Sequence, residues 1–201
     1  MAFDVDGTLL RGENICGCIA RNIGRTADMD AFELFRSRED IRAGRHAMLE
    51  WYAPFSRTDL ISYLQDLCLA PGVLRGFARL KAHCIKIALV SITWQFAVEW
   101  LAADLGADYA IGTGWSEGGD IAHFWPEDKA TWLQALLAQL RIEPASLVAV
   151  HDSYGDIPML QLAGRSYFVG GVLPSDLQHA HHWPDGDIGE IIDDAIATAW
   201  V

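Results

Sequence analysis

The chain lacks any apolar run approaching the roughly 20 residues a membrane-crossing helix needs. No charged-then-apolar leader stands before the acidic cluster that begins at Asp4. A soluble, cytoplasmic protein with no membrane partner is expected. Basic residues are few: 15 Lys and Arg face 27 Asp and Glu, for a formal net charge of −12. Binding a nucleic-acid backbone rests on clustered Lys and Arg, so that partner class is excluded. The basic residues are spread out apart from Arg36, Arg38, Arg42 and Arg45, which fit one or two helical faces. Cysteine is also scarce. Cys16, Cys18, Cys68 and Cys84 include no Cys-x-x-Cys pair, and Cys16-Gly-Cys18 is too cramped for an ordinary zinc half-site, so reduced thiols are expected. Internal repeats and low-complexity stretches are absent too. The eight Trp residues have no basic residues interleaved in sequence and read as packing groups.

At 201 residues and 51% hydrophobic, the chain suffices for one substantial core and a small accessory unit. Its first ten residues are Met-Ala-Phe-Asp-Val-Asp-Gly-Thr-Leu-Leu. A short apolar stretch there delivers Asp4 and Asp6 into Gly7-Thr8. Residues i and i+2 of a strand share a face, and a turn at the strand's end swings the second carboxylate around the first. Two acids so placed suit covalent phosphoryl transfer, one attacking phosphorus while the other handles the leaving group's proton. Three further elements follow. Ile87-Ala-Leu-Val-Ser91 is a β-type run ending in a hydroxyl. Lys129 lies at what reads as the first turn of a helix. Leu147-Val-Ala-Val-His-Asp-Ser-Tyr-Gly-Asp156 is an apolar strand emptying into Asp152 and Asp156. Each is weak alone, but together they place their chemistry at the carboxyl ends of strands, where an open α/β sheet keeps its site.

The intervals between these elements set the architecture. Between Asp4 and Ser91 lies far more chain than a βαβ crossover requires, whereas the later intervals are short. An inserted helical cap over residues 14–69 is expected, with residues 1–13 and 70–201 forming the core. Apolar residues recur at helical spacing from Ala31 to Trp51, Pro54 breaks the pattern, and Thr58-Asp59 caps a following helix. Strands are expected at 86–90, 109–111, 147–150 and 167–169, and helices at 77–84, 95–105, 129–140 and 158–162. That alternation implies a doubly wound parallel sheet, a Rossmann-like α/β core. Only three residues precede Asp4, so either its strand is short or the natural chain begins earlier.

The Asp-x-Asp-Gly-Thr-Leu motif and the ordered Ser91, Lys129 and Asp152 elements resemble the haloacid dehalogenase superfamily. The resemblance implies that Asp4 is the nucleophile and Asp6 the acid and base. It implies that Ser91, Lys129 and the Gly7 turn hold the phosphoryl oxygens. It also implies that Mg²⁺ rests on Asp4, the Asp6 main-chain carbonyl and Asp152, with Asp156 behind them. An acidic chain needs such local neutralisation to bind an anionic ester. The helical insert and the Asp-Ser-x-x-Asp ending look like the phosphoserine phosphatase branch. On that likeness Glu13 takes the substrate ammonium and Arg45 its carboxylate, with Arg42 next in line; each has a plain alternative as an exposed surface residue. Ile92-Thr93-Trp94, His151 and Gly155 depart from that branch, leaving another small phosphomonoester as the alternative substrate. Two further alternatives are a dehalogenase, which needs neither Asp6 nor Asp152, and a non-catalytic phosphate-binding module. His151 reads as a residue packed on the adjoining loop and bonded to main chain. His179, His181 and His182 read as a surface-loop cluster. Monomer and homodimer remain equally open.

Overall fold

Short, continuous apolar runs buried on both faces build the centre of the sheet. The computed structural model describes residues 1–116, 118–153 and 157–199. Among them a seven-stranded sheet runs in the order β6-β5-β4-β1-β7-β8-β9. Its strands are β1 (Ala2–Phe3), β4 (Ala88–Trp94), β5 (Tyr109–Trp115), β6 (Ile121–Ala122), β7 (Val148–His151), β8 (Arg165–Phe168) and β9 (His181–His182). Every pairing is parallel except the antiparallel β5–β6 return. Successive residues point to opposite faces. Phe3, Leu89 and Val150 join one core with α5 (Val73–Ala82), α6 (Gln95–Leu105) and α9 (Ile188–Ala199). Ala2, Val90 and Ala149 join a second core with α7 (Pro126–Leu140) and α8 (Ile157–Leu162). The sheet is therefore wound on both faces, as its alternating pattern requires.

The long interval after β1 holds α1 (Ile15–Asn22), α2 (Thr26–Phe32), α3 (Arg38–Tyr52) and α4 (Arg57–Tyr63). A two-stranded antiparallel ribbon closes its base, β2 (Leu10–Arg11) against β3 (Cys68–Leu69). The expected helix over 31–51 is in fact two. Ser37 interrupts it, its hydroxyl accepting the Asp40 N–H at 3.0 Å to start α3. The cap of α4 is Ser56, with Asp59 closing a reciprocal capping box, rather than Thr58-Asp59. Asp59 is the third helical residue, where its carboxylate reaches back to the Ser56 N–H at 2.9 Å.

Other differences have local causes. The sheet does not end at β8. His181 and His182 add a parallel edge strand, so the expected surface-loop cluster is split between faces. His181 stacks on Tyr167 at 5.2 Å, while the His182 ring faces Phe168 and its Nε2 lies 2.9 Å from the Gly170 carbonyl oxygen. Opposed strand neighbours cannot share one ion. The expected strand at 109–111 extends to Trp115 and turns back. Helix α9, unforeseen, packs on α5 where Gly76 lets Ile192 approach closely.

Tryptophan serves packing at the seam between insert and core. Trp94 is buried and meets Trp115 edge-on at 4.8 Å and Tyr52 of α3 at 6.1 Å. Trp125 behaves differently from expectation. Its ring faces the guanidiniums of Arg38, Arg42 and Arg45 at 5.0, 5.6 and 4.8 Å. These arginines recur at helical spacing on α3, so the basic residues come to the aromatic in space though not in sequence.

Candidate active site

The site grows from the tip of β1. Asp4 donates its main-chain N–H to Val150 O at 3.1 Å, so it continues the strand between β4 and β7. Phe3 points to the α5 side, and the next residue turns toward α7. There Lys129, in the first turns of α7, donates from Nζ to Asp4 Oδ1 at 2.6 Å. Both side chains are buried, Lys129 at 1% exposure and Asp4 at 6%. Burial alone would raise the Asp4 carboxyl, but the Lys129 ammonium outweighs it and holds the group below the usual carboxylate range.

After Asp4 the chain leaves the strand in a turn whose N–H groups at Thr8, Leu9 and Leu10 all reach Val5 O. Gly7 sits there at φ +81°, and a Cβ on it would run into the Asp152 carboxylate. Arg11 Nη1 donates to the Gly7 carbonyl at 2.6 Å, fixing the turn from the ribbon. Asp6 lies within the turn and accepts the Ile15 N–H on Oδ1 at 2.8 Å, at the first residue of α1. The acid thus does what a helix-terminus acceptor does while also lining the cavity. Burial and the Asp4 and Asp152 carboxylates push it up to about 7, against the pull of that N–H.

Strand β4 supplies Ser91 from within its span rather than at its end. Its pairing with β5 slips between Val90 and Trp94, which frees Ser91-Ile92-Thr93 from the ladder. Ser91 is buried, and its Oγ accepts the Thr93 N–H at 3.2 Å. Strand β7 brings Asp152 just past its end, where Thr8 Oγ1 donates to Oδ1 at 3.2 Å. Burial, then the Asp4 charge, lifts Asp152 to about 6. Thr8 escaped the sequence reading, although it stands inside the first motif.

His151 is fully buried, and its Nδ1 accepts the Ser153 N–H at 2.7 Å. Its first effect is packing on the adjoining loop, as its sequence position suggests. An accepting Nδ1 places the ring proton on Nε2, and burial lowers the ring to about 3, so it is neutral. Atoms of Asp4, His151 and Asp152 lie within 4.8 Å of one another. Because the imidazole's lone pair is already engaged, the donors left for a cation are carboxylate oxygens, with the Asp6 carbonyl in the turn beside them. Oxygen donors fit Mg²⁺, and the Asp4 and Asp152 carboxylates, buried close together, favour a cation between them. Asp156 lies outside the described residues.

These groups line a cavity of about 350 Å³ that also takes in Arg45, Asn14, Glu33 and apolar side chains of the insert. A larger cleft of about 980 Å³ opens elsewhere, among Lys86, Leu137 and Gly164, but the acids, Ser91 and Lys129 all line the smaller one. Arg45 is buried, and among the described residues it pairs with no carboxylate. Its Nη2 donates to Ile92 O at 3.1 Å and Phe124 O at 3.3 Å, and Nη1 lies 3.1 Å from His123 Nδ1. Sequence gave no sign of His123. Arg42, the next candidate, is exposed over Trp125 and does not line the cavity. Glu13 does not reach the cavity either. Its carboxylate, just before the Asn14 cap of α1, pairs with Arg21 in that helix's last turn through Nε at 3.0 Å and Nη2 at 3.0 Å.

An open parallel sheet gathering three carboxylates and a buried lysine at its strand ends, under a helical insert, defines an α/β enzyme with an acidic site. The chain belongs to the haloacid dehalogenase-like hydrolases, whose family model matches residues 1–161. A phosphoserine phosphatase from a Polaromonas species is 28% identical over 181 residues, 83% of this chain and 76% of that protein. A phosphoglycolate phosphatase from Haloarcula marismortui is 34% identical over 70 residues, 35% of this chain and 31% of its own. A solved substrate-bound phosphoserine phosphatase complex superposes with a TM-score of 0.77, covering 96% of each chain at 21% identity. That likeness establishes the fold.

Proposed function

We propose that this hydrolase is a Mg²⁺-dependent phosphomonoesterase working through an aspartyl-phosphate on Asp4. The observation that carries the reading is the buried Asp4–Lys129 pair at the tip of the central strand, inside the cavity that Asp6, Ser91 and Asp152 also line. Asp4 attacks phosphorus as the bond from phosphorus to the ester oxygen breaks. Asp6 gives that oxygen its proton. Asp6 then takes a proton from water, whose oxygen attacks phosphorus and releases inorganic phosphate from Asp4. Lys129, Ser91 and the Gly7 turn hold the phosphoryl oxygens meanwhile. Asp4, the Asp6 carbonyl and Asp152 would hold Mg²⁺, which supplies positive charge against those oxygens when bound. Residues 14–69 act as the cap that shields this chemistry from bulk water.

The names of the relatives make phosphoserine the first substrate to consider, and buried Arg45 in the cavity is consistent with an anionic group. Glu13, the expected ammonium partner, pairs with Arg21 at 3.0 Å in an exposed ion pair and does not line the cavity. The geometry therefore favours a phosphomonoester without that ammonium. p-Nitrophenyl phosphate hydrolysis with Mg²⁺, and its loss with EDTA, tests the function. Turnover unaffected by EDTA would overturn the metal assignment, and no turnover of any phosphomonoester would overturn the whole.

A further inference from the structure

The insert's side of the cavity is a wall of apolar side chains. Phe32, Phe35, Ile41 and Met48 come from the insert, Ile92 from the freed stretch of β4, and Trp94 from where that strand rejoins the ladder opposite Thr113. The wall is built rather than incidental. Phe32 and Phe35 meet edge-on at 5.5 Å and lie against α3 at Gly44, where a Cβ would strike both rings. A helix interior gives up stability to hold a glycine, and here the glycine seats the two rings. Ile92 is 40% exposed and lines the cavity, offering apolar surface that nothing in the protein covers among the described residues.

The polar groups nearby already have partners within the protein, Arg36 among them, whose Nη1 donates to the Glu33 and Phe35 main-chain carbonyls at 2.7 and 2.8 Å. Cys16 Sγ and Thr93 Oγ1 stand 3.4 Å apart. Asn14 Nδ2 donates to Glu33 at 2.9 Å. Arg45 spends its Nη2 donors on two main-chain carbonyls, so it clamps α3 to the core before it meets any ligand. One end of the cavity suits a phosphoryl group, and the other suits hydrocarbon.

We propose that the alcohol half of the substrate is apolar: a phosphomonoester with an aliphatic or aromatic body, packed against Phe32, Phe35 and Ile92. This rests on the phosphomonoesterase reading for its chemistry and adds the substrate class. An apolar body gains by leaving water for this wall, whereas serine's ammonium and carboxylate would have to draw Glu33, Arg36 or Arg45 away from the hydrogen bonds those residues already make.

The experiment compares 3-phenylpropyl phosphate with propyl phosphate, whose leaving alcohols differ in apolar body and little in acidity, and with O-phosphoserine. kcat/KM is measured on the Mg²⁺-loaded enzyme, and calorimetry gives the Kd of 3-phenylpropylphosphonate and propylphosphonate, which cannot be hydrolysed. The phenylpropyl compounds should be favoured by about tenfold or more in both measures, the scale of discrimination an apolar pocket achieves. O-phosphoserine should do no better than propyl phosphate. Ile92→Gly should pull both ratios toward one. Preference for O-phosphoserine, or phosphonates bound equally or not at all, would overturn the inference. If the phosphonate ratio holds while no ester turns over, the phosphatase reading falls and the apolar pocket stands.

Discussion

Asp4 and Asp6 are two residues apart, yet the fold gives them opposite electrostatic settings. Asp4 shares its proton-free oxygen with a buried ammonium and stays ionised. Asp6 accepts the Ile15 N–H and is lifted to about 7 by burial first and then by its acidic neighbours. An ionised acid beside a protonatable one is the division of labour that a covalent mechanism with proton transfer requires. Asp6→Asn keeps the main-chain carbonyl and an oxygen for the Ile15 N–H but cannot shuttle protons. It should slow turnover by roughly 10²–10⁴ while leaving Mg²⁺ affinity close to wild type. Near-normal kcat in this variant, measured under saturating Mg²⁺, would remove Asp6 from the proposed role.

At the scale of elements, strands with continuous apolar runs were legible, because their β-type residues and motif endings coincide. Helices α6, α7 and α8 followed from periodicity. What escaped was set by short or distant partners. A two-residue edge strand such as β9 leaves no pattern of its own and exists because β8 offers an open edge. Helix α9 did carry a signal in Ile188, Ile191, Ile192 and Ala195, with Asp187 accepting the Glu190 N–H at its start. The cluster of acids and Lys129 was readable because each sits at a strand end or helix start, and Ser91 because it closes the apolar run Ile87-Ala-Leu-Val, although β4 continues past it to Trp94. The position of Glu13 was not, since its choice of Arg21 depends on which side of α1 faces the core. Nor was the Arg45 clamp, whose acceptors lie far away in sequence.

Helix α9 is tied to the sheet by a small polar network. Arg165 Nη2 donates to Asp194 Oδ2 at 2.7 Å, and the Tyr167 hydroxyl donates to the same oxygen at 2.5 Å. The Tyr167 hydrogen bond, aided by Arg165, holds the Asp194 carboxyl below its usual value. Its pKa is lower folded than unfolded, so its contribution is complete above the ordinary carboxylate range and fades as pH falls through the folded value. Asp194→Asn should therefore be less stable than wild type in urea near neutral pH, and the gap should narrow on acidification. A gap that widened in acid would contradict this assignment.

For the whole molecule, the acidic balance and the crowded carboxyls make the folded state a better cation binder than the unfolded chain. Mg²⁺ should stabilise the protein by about 2.7 kcal/mol at a hundredfold excess over Kd, a Tm rise of roughly 5–10 °C for a chain of this size. Asp152→Ala should lose most of that rise. An equal rise in the variant would move the cation elsewhere.

The central claim is that Asp4 itself carries the phosphoryl group, and one measurement addresses it directly. Enzyme turning over a phosphomonoester with Mg²⁺ is quenched in acid, digested and examined by mass spectrometry, using wild type, Asp6→Asn and Asp4→Asn. A phosphoryl group should appear on the peptide bearing Asp4 and accumulate in Asp6→Asn, whose second step is slowed, while Asp4→Asn shows neither label nor turnover. Substantial hydrolysis by Asp4→Asn, or a label on any other residue, would contradict it.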